Sequence, residues 1–178
     1  YRRVGDTAHK KGDQEQAIQH LHLGLGILGE PDQPQSQGEA ARIYARLGWC
    51  HYMQSDLENA KEAIHKSMIY ASKANNITTL AMAENYLGGI IFRLGDPQQA
   101  MQHTRTAMSY WQEIGYSWGV AAALSNLGIL ESVAGNWQAA YNAIKRSLAL
   151  RQEMGDVDGV AITQHNLGQL VRNQGDLV

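Results

Sequence analysis

The chain has 178 residues, 44% of them hydrophobic and 18% charged, enough for one ordinary domain or one short solenoid. Its formal charge of −2 does not argue by itself for nucleic acid or an anionic membrane as partner. The one cysteine, Cys50, excludes an intrachain disulfide and any C-x-x-C metal or redox motif, and it fits a reducing cytoplasm.

In chain order, punctuating residues divide the sequence into segments of helical length. A first helix is expected over 1–11 and a second over 14–28, started by Asp13. The stretch 29–38 holds Pro31 and Pro34, two of the three prolines, and reads as a solvated loop, not a domain boundary. Helices are then expected over 40–54, 57–74, 78–94, 97–114, 118–134, 137–154 and 158–174. Asp56, Asp96 and Asn136 stand where N-caps belong, and Pro97 falls in a first turn that tolerates proline. Asn75, Gly115 and Gly155 are residue types that accept the left-handed conformation closing a helix. No apolar run approaches the roughly 18 residues that span a bilayer, and the N-terminus lacks the order of a signal peptide. Both ends read as cut, because the first residue is Tyr1 and Val178 follows a turn signal, so a fragment of a longer protein is expected.

The segments repeat. Leu47-Gly48, Leu87-Gly88, Leu127-Gly128 and Leu167-Gly168 are spaced by 40, with Val4-Gly5 lying 43 earlier. Seven residues after each glycine comes a turn, at Gly12, Ser55, Gly95, Gly135 and Gly175, and five further sits Ala17, Ala60, Ala100 or Ala140. A glycine inside a helix costs about 0.5–1 kcal/mol against alanine. Close approach of a second helix, carrying the small alanine, supplies the reason. Leucine-glycine, then a turn, then alanine, all in one register, resembles the tetratricopeptide repeat family, and the 40-residue unit resembles its long-helix variant, known from kinesin light chains, spindle-orientation adaptors and large bacterial signalling regulators. The resemblance implies an all-α solenoid of antiparallel hairpins in a right-handed superhelix. It divides 1–178 into a partial repeat over about 1–30, repeats over 40–76, 77–116 and 117–156, and a partial one over 157–178.

Other patterns are weaker. Gly24-Leu25-Gly26-Ile27-Leu28-Gly29 matches a dinucleotide fingerprint by letters, but it ends a helix, where carbonyls would repel phosphate. His20 and His22 are two apart and face different ways, so no metal site is expected. Neither a cofactor nor a catalytic centre is expected. Glu131, at a position where His51, Ile91 and Val171 stand, reads as an acid paired with a basic neighbour or as a partly buried sensor of a ligand. Trp111, Trp118 and Trp137 read as core.

By the resemblance, first helices line a concave groove through repeat positions two, five, six, nine, twelve and thirteen, counted with the glycine as eight. Those positions carry seven basic residues, Arg2, Arg3, Lys10, Arg42, Arg46, Arg93 and Arg172, against one acid, Asp6. A surplus of six in a chain of net −2 suggests an anionic partner held by guanidinium forks. The relatives also grip peptide backbones through an asparagine at position six, a role that passes to Asn126 and Asn166, whereas Arg46 and Tyr86 depart from it. Trp49, Tyr52, Met82, Tyr86 and Phe92 would anchor side chains, and Asn85, His165 and Gln169 share the same face. The chaperone-tail clamp of other family members is absent, since Ala45 and Trp49 occupy its lysine and asparagine positions. The expectation is a non-catalytic scaffold binding an extended or helical, acidic peptide, with no nucleic acid or membrane partner. A ligand- or peptide-sensing module of a bacterial regulator is the alternative, and self-association through open terminal repeats is a further possibility.

Overall fold

The computed structural model describes residues 14–175. Eight helices follow one another: α1 (Gln14–Leu28), α2 (Pro34–Met53), α3 (Leu57–Lys73), α4 (Ile77–Arg93), α5 (Pro97–Glu113), α6 (Ser117–Val133), α7 (Trp137–Glu153) and α8 (Val157–Gly175). The expected helix over 1–11 and its residues Arg2, Arg3, Asp6 and Lys10, together with Asp13, lie outside the described residues.

From α2 onward every link is three residues long and has one geometry. The middle residue takes positive φ, at Ser55, Asn75, Gly95, Gly115, Gly135 and Gly155. The next N–H reaches back five residues: Asp56 to the carbonyl of His51 at 3.0 Å, Asn76 to Ala71 at 2.8 Å, Asp96 to Ile91 at 3.2 Å, and likewise at Tyr116, Asn136 and Asp156. This closure satisfies the carbonyls that a helix end leaves open. At four of the six links the same residue also caps the next helix. Asp56, Asn76 and Asp96 side chains accept from the N–H of Asn59, Thr79 and Gln99. The Asp156 carboxylate accepts from Gly159 N–H at 2.9 Å and from Arg151 Nη1 at 2.7 Å. The hydrogen bond from Asn59 is the largest influence holding the Asp56 carboxyl below its ordinary value of 3.8. A carboxyl so held stabilises the fold above its unfolded pKa, and that contribution fades as pH falls through the lower, folded one.

Three sequence expectations change. The loop expected over 29–38 ends at Gln33, and 34–38 are the opening turns of α2. Pro34 begins that helix instead of excluding it, because its fixed φ suits a first turn whose N–H has no helical partner, and Ser36 Oγ accepts from Gln33 N–H at 3.2 Å. Asn136 places no side-chain hydrogen bond on α7. Its amide instead donates to Glu131 Oε2 at 2.8 Å. Trp118 is 47% exposed, whereas Trp111 is buried as expected and Trp137 packs half-buried beside Ala140 and Ile144.

Helices pair as antiparallel hairpins, α2 on α3, α4 on α5 and α6 on α7, and neighbouring hairpins join through α3 on α4, α5 on α6 and α7 on α8. Within each hairpin the crossing point is the repeated glycine. A methyl added at Gly48 would lie 2.5 Å from Ile64 Cδ1 and 3.1 Å from the Ala60 carbonyl oxygen. At Gly88 it would lie 2.8 Å from Thr104 Oγ1 and 3.1 Å from the Ala100 oxygen, and at Gly128 it would overlap Ile144 and lie 3.2 Å from the Ala140 oxygen. Seven residues before the glycine the helices touch again through small residues: Ser67 Oγ donates to the Ala41 carbonyl at 2.8 Å and Ser147 Oγ to Ala121 at 2.7 Å. Around Gly168, in α8, nothing stands within 4 Å of where a methyl would sit. The Ala161, Gln164, Gly168 and Val171 stripe of that helix is exposed, while the equivalent Ala121, Leu124 and Gly128 of α6 are buried.

The same substitution should therefore have opposite signs at two equivalent sites. Gly128→Ala should destabilise by about 1–3 kcal/mol, because Ile144 and the Ala140 carbonyl must move. Gly168→Ala should stabilise by about 0.5–1 kcal/mol through helix propensity. Urea unfolding of the two variants measures both, and equal losses would show that the glycine row is not set by hairpin crossing.

Candidate functional site

Because α2, α4 and α6 repeat one register, their side chains at positions five, six, nine and twelve fall into adjacent columns. Trp49 and Tyr52 of α2, Asn85, Tyr86, Gly89 and Phe92 of α4, and Asn126, Ile129 and Leu130 of α6 line one hollow of about 340 Å³, with Gly88 and Thr104 at its base. Trp49 stacks on Tyr52 with ring centres 5.4 Å apart and on Tyr86 at 5.1 Å, so the aromatic wall is held in one arrangement. Across the hollow, Asn126 Nδ2 donates to Asn85 Oδ1 at 2.9 Å, linking α6 to α4.

Five of the residues singled out from the sequence thus meet in one place with Asn126: Trp49, Tyr52, Asn85, Tyr86 and Phe92. Others do not join them. Met82 packs half-buried against the cluster of Ala81, Trp111 and Val120. Arg93 is not a free cation: Nη1 donates to the Tyr52 carbonyl at 2.8 Å, Nη2 donates to Ser55 Oγ at 2.8 Å, and the guanidinium lies 4.8 Å from the centre of the Tyr52 ring. It ties α4 to the turn after α2, a role the sequence did not reveal because the partners lie about one repeat away. On α8, His165 and Gln169 bond each other at 2.9 Å, Asn166 is half-buried and Arg172 is exposed. None of these four lines the aromatic hollow.

Arg42 and Arg46 occupy the preceding turns of α2. Arg42 is 47% exposed and shares a 3.2 Å ion pair with Glu39, three residues before it, an exposed contact of little strength. It also lines a second, more polar hollow of about 610 Å³ with Gln33, Ser36, Ala74 and Asn76. Arg46 is half-buried.

Two pairs of polar side chains lie beside the groove. Glu131 has the basic neighbour expected for it: Oε1 accepts from Arg105 Nη2 at 2.9 Å. Glu84 was not singled out, although it is an acid at a position filled by Tyr44 and Leu124 in adjacent repeats. It is 9% exposed, and its Oε2 lies 2.7 Å from His103 Nδ1 on α5. A buried carboxyl group needs a hydrogen-bonding partner. Removing it with His103→Ala should destabilise by about 1–3 kcal/mol, and His103→Gln, which restores a donor, should recover part of that loss in chemical denaturation.

A stack of hairpins whose inner columns converge on a hollow is a helical-repeat scaffold. A tetratricopeptide repeat family model matches residues 79–153 and 119–177, together more than half the chain. The chain belongs to the tetratricopeptide repeat family and, as such, is a protein-interaction scaffold. Solved structures share the fold. BtubC (BKLC) from P. vanneervenii matches with a TM-score of 0.78 at 21% identity, over 97% of this chain and 70% of that one. RapI in its apo form matches with a TM-score of 0.81 at 16% identity, over 97% of this chain and 65% of that one. A Podosopora anserina putative kinesin light chain with nearly identical TPR-like repeats matches with 0.69 at 12% identity, over 98% and 85%. This chain thus spans about two thirds of the first two proteins. Comparison with curated proteins finds no match. Among the described residues no helix is long and apolar enough to cross a membrane.

Proposed function

We propose that the concave face of α2, α4, α6 and α8 binds an extended, acidic peptide segment of a protein partner. The observation that carries this reading is the composition of that face: its groove positions in the four helices hold Arg42, Arg46, Arg93 and Arg172 and no carboxylate. Arg93 is held by Tyr52 and Ser55, and Arg42, beside Glu39, and Arg46 stand on the turns of α2 that precede Trp49. A guanidinium on a groove wall presents paired donors to a carboxylate. The aromatic wall beside it offers the apolar contact that makes a groove adhesive beyond its charge.

Acidic peptides enriched from a random displayed library provide the test. The double variant Arg42→Ala, Arg46→Ala should bind them roughly tenfold more weakly at moderate salt, and its affinity should depend less steeply on ionic strength. Unaltered affinity and salt slope, by fluorescence anisotropy, would place the partner elsewhere on the array.

A further inference from the structure

Two adjacent glycines in α4 have different reasons for being glycine. At Gly88 the helix crossing excludes a methyl, with Thr104 Oγ1 2.8 Å and the Ala100 oxygen 3.1 Å away. At Gly89 it excludes nothing: an added methyl would meet only the Tyr52 ring and hydroxyl, at 3.8–3.9 Å, an ordinary contact distance. Its φ is not in the left-handed region. Glycine weakens a helix interior, and here no turn or packing contact requires it. Position nine, which Gly89 occupies, carries Trp49 in the preceding repeat and Ile129 in the following one. Both line the hollow. α4 carries no side chain at this position, and the hollow lies beside it, next to the Tyr52 ring.

The polar edge of this space carries complementary hydrogen-bonding capacity. With Asn126 Nδ2 donating to Asn85 Oδ1, the Asn85 amide keeps its NH₂ and the Asn126 amide its carbonyl. Turning both amides over leaves the same inventory, one NH₂ and one carbonyl, so the conclusion does not depend on how nitrogen and oxygen are assigned. One donor and one acceptor side by side match the C=O and N–H of a passing main chain. The hollow itself is apolar on the sides formed by Trp49, Tyr86, Phe92 and Ile129, and Arg93 is already bonded to α2. A carboxylate placed there would lose its hydration without an ion partner.

We propose that the hollow at Gly89 is a subsite for one large apolar side chain, the size of leucine, methionine or phenylalanine, of an extended peptide whose backbone rests on Asn85 and Asn126. The acidic residues of that peptide extend toward Arg46 and Arg42. This rests on the groove reading above and adds a specificity to it. A cavity of about 340 Å³ is at the small end of ligand sites, suited to one side chain with its flanking backbone.

Calorimetric titration of two capped pentapeptides, Asp-Glu-Leu-Glu-Asp and Asp-Glu-Gly-Glu-Asp, separates the two proposals. The native chain should bind the leucine peptide about 10- to 100-fold more tightly than the glycine peptide, the ratio expected for burying one such side chain. Gly89→Leu fills the hollow from within. It should keep the helical circular dichroism, melt no lower than the native chain and lose the preference. Gly89→Ala, the milder filling, should reduce the preference partway and serves if the larger residue impairs folding. Equal binding of both peptides to the native chain, or an undiminished preference in folded Gly89→Leu, would overturn the subsite and leave the charged groove standing. Binding of neither peptide would overturn both.

Discussion

At Gly48, Gly88 and Gly128 one helix backbone lies so near the next that a methyl group has no room. That exclusion fixes where each hairpin crosses. With the crossing fixed, every first helix presents the same positions to the same side, and residues about one repeat apart become neighbours in space. Asn85 and Asn126 bond, and Trp49 and Tyr86 stack, because the glycines have already aligned the helices that carry them. The aromatic hollow is thus a consequence of packing elsewhere. Its walls come from three hairpins, and no single repeat contains it.

The fold was largely legible because its determinants are local or periodic. A crossing glycine, an alanine twelve residues later and a turn between them recur in phase, and each turn needs only its own residues to close. Ser55 and Asn75 show that the turn geometry tolerates substitutes for glycine while keeping the same hydrogen bonds. Where local reading failed, a second local rule competed with the first. Pro34 sits among loop-forming residues, yet proline is also favoured in a first helical turn, and Ser36 three residues beyond Gln33 supports a helix start. Asn136 resembles its counterparts Asp56 and Asp96, but its Nδ2 donates to Glu131 Oε2, which turns the amide toward the end of α6 and leaves α7 without a side-chain cap.

The groove was legible in part, for a related reason. Periodicity specifies the face on which a side chain emerges, and so Trp49, Tyr52, Tyr86 and Asn126 could be assigned to one wall. It does not specify where a long side chain ends. Arg93 emerges on the groove face and folds back over Tyr52 to the turn after α2, so its charge is shared with a carbonyl and a hydroxyl. Glu84 and His103 find each other between helices, and only the unusual presence of an acid in a column of tyrosine and leucine marked the first of them. Gly89 was the least visible. A glycine that packing requires and a glycine that leaves space look alike as letters.

The three-residue turns have one more consequence. Each closes its own backbone hydrogen bonds, and four of the six also cap the helix that follows, so no turn relies on another for completion. Cohesion between hairpins comes only from side-chain contact with immediate neighbours, as in a column of coins. Loosening at one end of such a column propagates by steps, one interface at a time, and the central hairpins, gripped from both sides, are the last to part. The hollow between Trp49 and Ile129 is therefore built in the stretch of the array with neighbours on each flank, where a small binding site keeps its shape while the outer helices breathe.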